Sequence, residues 1–318
     1  MRRLLCDLPA GQSADCLLAR IRGRRSFLVR DWQHLQTPRQ PTASLPAAPW
    51  RPLPSAEPHW ALQALRREYR WVFARMTEPL RRATAPFFWL AELKPLAVCL
   101  RLLAGGQPLP ESLLAASLLA APLRELLRSG GGCAGAVERL ERRLVDCHPA
   151  FGGLGAAFRA AGTGGTERLL WERSLEAACS GPLHPQMRCC LTLVVDSRNL
   201  SALLNGLRWR QTEPSRLLAG GTLDPARLIE LFRRNDNAGL LRLAARLGGM
   251  DGAGQEVDPE QLLRIARRRL TARLVRTGDG VGLILDYLWR CSDEAAMIGL
   301  LEKLEAIGPE QVAAELRR

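Results

Sequence analysis

The chain has 318 residues, 47% of them apolar, which is enough for two or three compact cores. Leu, Ala and Arg dominate while Val, Ile, Tyr and Phe are sparse, a composition that disfavours β-rich folds and favours helices. With 45 basic against 32 acidic side chains and a net charge of +13, the surface attracts an anion: nucleic acid, anionic lipid head groups or an acidic protein face.

The opening MRRLLCDLPAGQ is basic but lacks the apolar run of about 7–15 residues that a secretory leader needs. Residues 14–36 read as an amphipathic, strongly basic helix carrying Arg20, Arg22, Arg24 and Arg25. Residues 37–58 then hold seven prolines, a density that no helix tolerates, so this stretch reads as an extended strap. From Trp60 onward helical periodicity dominates, with Gly-rich turns at 129–135, 152–155, 162–165, 219–221 and 248–254. The longest apolar run, LLAASLLAA at 113–121, is about half of what a membrane-spanning helix requires. Only CLTLVVD (190–196) has strand character, and it runs straight into a helix, so the fold class expected is all-α. Nine irregularly spaced cysteines give no disulfide framework and fit a reducing compartment. The expectation is a cytoplasmic protein, able to lie against a membrane face without spanning it.

Self-comparison reveals a repeat. ELKPLAVCLRLL from Glu92, DSRNLSALLNGL from Asp196 and DEAAMIGLLEKL from Asp293 each place an acid four residues before an apolar stripe. The stripes are Leu96, Cys99, Leu100 and Leu103; Leu200, Leu203, Leu204 and Leu207; and Met297, Leu300, Leu301 and Leu304. Each acid is expected at a helix N-terminus, capping free N–H groups. Asn199 occurs only in the second copy, with Pro95 and Ala296 at the equivalent places. LLAGGQPLPESLL (102–114) matches LLAGGTLDPARLI (217–229), and AIGPEQVAAEL (306–316) is a reduced form. The predicted organisation is repeat 1 over 59–128, repeat 2 over 129–236 and repeat 3 over 237–318. Repeat 3 is the shortest, and the basic helix in 1–36 is expected to complete it.

Chemical motifs are absent or weak. GGGCAG at 130–135 satisfies G-x-G-x-x-G but follows a helical segment, so it reads as an interhelical turn and not as a dinucleotide fingerprint. Cys147, His148, Cys179, His184, Cys189 and Cys190 lack the paired offsets of a zinc site. No nucleophile elbow or P-loop is present, so neither catalytic, cofactor-binding nor metal-binding residues are expected.

Three stretches together resemble the C/d subunit family of V/A-type ATPases: LLARIRGRRSFL (17–28), VVDSRNLSALLNGLRWR with LLAGGTLDPARL (194–228), and LILDYLWRCSDEAAMIGLLEKLEAIGPEQV (283–312). The resemblance implies a funnel-shaped body of three pseudo-threefold-related helical domains, seated on the cytoplasmic face of the membrane proteolipid ring. Such a central-stalk subunit receives the foot of the rotating axle and couples it to the ring for proton or sodium transport, without catalysis and without a cofactor. Glu92, Asp196, Asn199 and Asp293 would then fix repeated domain packing, and Arg20, Arg22, Arg24 and Arg25 would face partner loops or anionic lipid. The alternative from charge alone is a basic, all-helical nucleic-acid-binding protein; the resemblance implies no nucleic acid.

Overall fold

In the computed structural model the chain is all-helical among the residues described, which are 1–9, 11–29, 45, 48–51, 60–129, 132–250 and 259–307. The end of the expected N-terminal helix (30–36), most of the Pro-rich strap and the closing segment from residue 308 lie outside them. Twelve α-helices are present there: α1 (Ala14–Arg25), α2 (Trp60–Arg75), α3 (Glu78–Ala104), α4 (Glu111–Ala115), α5 (Ala121–Arg128), α6 (Gly132–Val145), α7 (Leu154–Cys179), α8 (Pro185–Arg208), α9 (Pro225–Arg233), α10 (Asn237–Leu247), α11 (Pro259–Arg276) and α12 (Gly280–Ile307). The segment 190–196 is helical within α8, because it continues the buried spacing of the residues that follow. Two compact units result, residues 1–17 with 66–187, and residues 18–65 with 188–318.

The first unit is organised around α3, which buries Phe87, Phe88 and Trp89 in succession. Phe88 meets Phe73 and Tyr69 edge to face at 5.0 and 6.1 Å, and Trp89 donates to Ser174 Oγ on α7 at 2.8 Å. Arg81 is fully buried yet satisfied by carbonyls: Nε donates to Phe73 O, and its terminal nitrogens donate to Leu8, Pro9 and Ala74 O. It thereby ties the orphan carbonyls at the end of α2 to the N-terminal segment. The glycines at 162–165 mark a break within α7: Ala161 and Gly162 leave helical geometry, Gly162 with φ 60°, and two helical segments meet at a kink there. Of the GGGCAG segment, residues 132–135 form the first turn of α6, and residues 130–131 lie outside those described.

In the second unit, Leu200, Leu203 and Leu204 of α8 pack with Leu228, Leu231 and Phe232 of α9 and Leu240 and Ala244 of α10. The helix α12 is buried almost without interruption from Val281 to Trp289. Asp286 is fully buried on it, bound by Arg290 one turn on at 3.0 Å and by Arg25 of α1 at 2.7 Å. A Cβ on Gly280 would meet Leu18 of α1 at 2.9 Å, so α1 approaches α12 closely there.

Candidate functional site

Three of the long helices carry a buried carboxylate near mid-length, and each accepts at least one backbone N–H from a segment distant in the chain. On α3, Glu92 Oε1 accepts from Leu118 N at 2.9 Å and Oε2 accepts from Ser117 Oγ at 2.7 Å. Ser117 Oγ itself accepts from Leu119 N at 3.1 Å, so one hydroxyl links the carboxylate to a second amide. On α8, Asp196 Oδ2 accepts from Thr222 N at 3.0 Å and from Thr222 Oγ1 at 2.6 Å, while Oδ1 accepts from Leu223 N at 3.1 Å. Asn199, one turn further, donates to Leu218 O at 2.9 Å and accepts from Leu218 N at 2.8 Å, gripping the same loop through both of its backbone groups.

These carboxylates do not cap helix N-termini. The helices begin at Glu78, Pro185 and Gly280, about three to four turns earlier. What they satisfy is the loop: interhelical amides lack an i−4 carbonyl, and a carboxylate offers several lone pairs to groups that burial would otherwise strand. The first two cradles match in chain spacing. Leu118 N and Thr222 N each lie 26 residues beyond their carboxylate. The helices that follow, α5 and α9, start at Ala121 and Pro225, again at one common spacing of 29 residues.

The LLAGG match is therefore not a structural equivalence. Leu102–Ala104 finishes α3 with Gly105 as its C-cap, whereas Leu217–Thr222 is loop pinned to Asp196 and Asn199. The segment equivalent to LLAGGTL (217–223) is LLAASLL (113–119), which ends in the amides that Glu92 holds. That second pairing was legible in the sequence as the same spacing from each acid.

In the third helix the structure shifts the register by one residue. Beyond Glu92 the exposed positions are Lys94 and Val98, and the buried ones include Leu96 and Cys99. Counting from Glu294 reproduces this, with Ala296 and Leu300 exposed and Ile298 and Leu301 buried. Counting from Asp293 would put the exposed Leu300 in the stripe, and the side chain of Leu304 lies outside those described. Glu294 also performs the cradle's chemistry: Oε2 accepts from Val29 N at 3.4 Å, from a donor 265 residues upstream. Its other oxygen pairs with Arg51 of the Pro-rich strap, and both side chains are buried. Asp293, buried beside it, turns toward Arg267 and Arg268 of α11 at 3.9 and 3.5 Å.

The electrostatic surroundings differ between cradles. Arg66 of α2 stands 3.7 Å from Glu92, and burial pushes its guanidinium below the ordinary range while Glu92 opposes that shift. Burial pushes the nearby Cys99 thiol up to about 11, with Arg66 lowering it and Glu92 raising it further. Of the four candidate basic residues on α1, Arg20 and Arg22 are exposed and Arg24 is half-buried. Arg25 is spent on Asp286, so it is an internal ion-pair partner. No group of three or more His, Cys, Asp or Glu among the described residues is placed to hold a metal. His148 acts in a turn instead, with Nδ1 accepting from Ala150 N at 3.1 Å and Nε2 2.8 Å from Ser180 Oγ. No helix among the described residues is long and apolar enough to cross a membrane.

These features define a class: an all-helical protein in which mid-helix carboxylates pin returning loops, the same device appearing on α3, α8 and α12. Neither a protein-family model nor a curated protein matches the chain.

Proposed function

We propose that the protein is a non-catalytic central-stalk subunit of a rotary V/A-type ATPase, coupling the axle to the membrane proteolipid ring at the cytoplasmic face of the membrane. The observation that carries this reading is the recurrence of one loop cradle at Glu92, Asp196 and Glu294, which supports three equivalent domains closing into a funnel. A part that transmits torque has to hold its partner-facing loops without a soft hinge. Buried carboxylates that fix loop amides to the middle of long helices supply that stiffness. The contacts of Arg25 and Val29 with α12 support the N-terminal segment as the completing piece of the third domain. The resemblance in 17–28, 194–228 and 283–312 supplies the identity of the partners. The exposed arginines of α11, among them Arg268, Arg273 and Arg276, favour nucleic acid as the competing reading.

Affinity purification of the tagged full chain from its own cells in mild detergent tests the proposal. Co-elution of axle subunits and the proteolipid ring is the expected result. Their absence, together with duplex or single-stranded nucleic-acid binding that falls steeply between 50 and 200 mM salt, overturns it in favour of the competing reading.

A further inference from the structure

A groove of about 900 Å³ in the first unit is lined by five arginines, Arg2, Arg3, Arg82, Arg124 and Arg143. Three of them are neutralised in place: Arg2 by Asp7 and Glu78 at 3.0 and 3.3 Å, Arg82 by Glu78 at 3.1 Å, and Arg143 by Asp146 at 3.9 Å. Arg3 and Arg124 have no acceptor among the described residues; Arg3 is exposed and Arg124 is half-buried on the groove wall. A guanidinium without an acceptor of its own offers charge-assisted bonds to an incoming oxyanion.

Comparison of the two matched cradles gives a second, independent pointer. Ala120 and Asp224 are the N-caps of α5 and α9, at the same distance beyond Glu92 and Asp196. Asp224 Oδ1 accepts from Ala226 N at 3.0 Å, whereas Ala120 supplies no side-chain acceptor to α5. A carboxylate that the second cradle builds in is thus missing from the first, on the wall of the arginine-lined groove. Arg124 lies one helical turn from Ala120, on the same side of α5. Leu5, Ala120, Ala121 and Pro122 add apolar surface to the lining. A recess with both cationic and apolar walls fits a peptide better than it fits the flat surface of a bilayer.

We propose that this groove binds an acidic peptide segment of a partner protein, one carboxylate occupying the place between Arg124 and the N-terminus of α5 and a second meeting Arg3 at the mouth. The assignment does not depend on the rotor reading. The test uses the full chain and a fluorescein-labelled decapeptide of alternating Asp and Leu, followed by anisotropy at 50 and 300 mM NaCl. The expected result is saturable binding that Arg124→Gln and Ala120→Asp each weaken at least tenfold and Arg3→Ala at least threefold, with high salt weakening all forms. Ala120→Asp supplies the missing carboxylate internally and adds a helix cap, so it decides the matter even where Arg124→Gln fails to fold. The proposal is overturned by equal peptide affinity in wild type and Ala120→Asp. It is equally overturned where millimolar inorganic phosphate displaces the peptide completely, which means an adventitious ion only. Flotation with phosphatidylglycerol vesicles that depends on Arg124 while peptide binding does not also overturns it, in favour of a lipid surface.

Discussion

Asp196 and Glu294 do the same job with opposite means. Asp196 is satisfied by neutral donors, Thr222 N, Thr222 Oγ1 and Leu223 N, all within 27 residues of it. Glu294 takes its amide from Val29, 265 residues away, and adds a buried ion pair with Arg51. The nearby cradle closes a short loop at small entropic cost, while the remote one must bring two chain segments together before either charge is compensated. A neutral network tolerates the loss of one member. A buried ion pair does not, because the survivor is left charged in a poor dielectric.

Neutralising Glu294 is therefore the most damaging substitution expected here. Glu294→Gln leaves Arg51 buried without its counter-charge and should destabilise the protein by about 3–5 kcal/mol in thermal or urea unfolding. The pair Arg51→Met with Glu294→Leu should recover most of that loss, because the charge and its desolvation vanish together. A single-variant effect below about 1 kcal/mol would show that water reaches the pair and would end the contrast with Asp196.

The next effect concerns Cys99, which stands where Leu203 stands in the second cradle, two turns beyond the carboxylate. Its folded thiol is pushed up to about 11 by burial, while an unfolded thiol ionises near 9. Between those values the unfolded state loses a proton that the folded state keeps, so stability falls as pH rises and is fully present below about 9. The loss by pH 11 is about 2–3 kcal/mol from this group. Cys99→Val should flatten the difference, measured as the pH dependence of urea midpoints for the two proteins between pH 8 and 11. An unchanged slope would mean that Arg66 holds the thiolate in the folded state.

The helices and their buried faces were legible in the sequence because period-3.6 spacing is a local property. Leu96, Leu200 and Leu203 are buried as their spacing predicts. The role of the carboxylates was not legible in the same way. An acid before an apolar stripe reads as an N-cap, and only the true start of each helix, at Glu78, Pro185 and Gly280, shows otherwise. The Asp293–Glu294 ambiguity is one residue wide in the sequence, and what resolves it is a donor from Val29 and a partner in the Pro-rich strap. No local pattern encodes a contact between residues so far apart in the chain. The LLAGG identity misled for the converse reason: identical residues finish a helix in one place and form a pinned loop in the other, since spacing from the carboxylate and not identity sets which amides need an acceptor.

Within the neutral cradle, Asp196→Ala should cost about 2 kcal/mol, the penalty for amides and a hydroxyl that lose a charged acceptor. The readout is specific to the loop: limited trypsin digestion should cut first after Arg216, which lies beside the pinned segment, and faster than in wild type brought to the same global stability with urea. Cutting that appears first elsewhere would place the softness outside this cradle.

The smallest effect separates the two matched cradles from each other. Ser117 is buried and its hydroxyl bridges Glu92 and Leu119 N, whereas Thr222 is exposed and donates to Asp196 beside its own amide. Removing the Ser117 hydroxyl leaves Glu92 Oε2 with the Arg66 guanidinium at 3.7 Å and strands the Leu119 amide where water does not enter, so Ser117→Ala should cost about 1–2 kcal/mol. Thr222→Val leaves the buried Asp196 with both loop amides, and the lost hydroxyl belongs to an exposed residue where water takes its place, so about 0.5 kcal/mol is expected. Urea midpoints measured side by side decide it. Equal losses would mean that burial does not distinguish the two loops, and that the matched spacing of Leu118 and Thr222 extends to matched energetics.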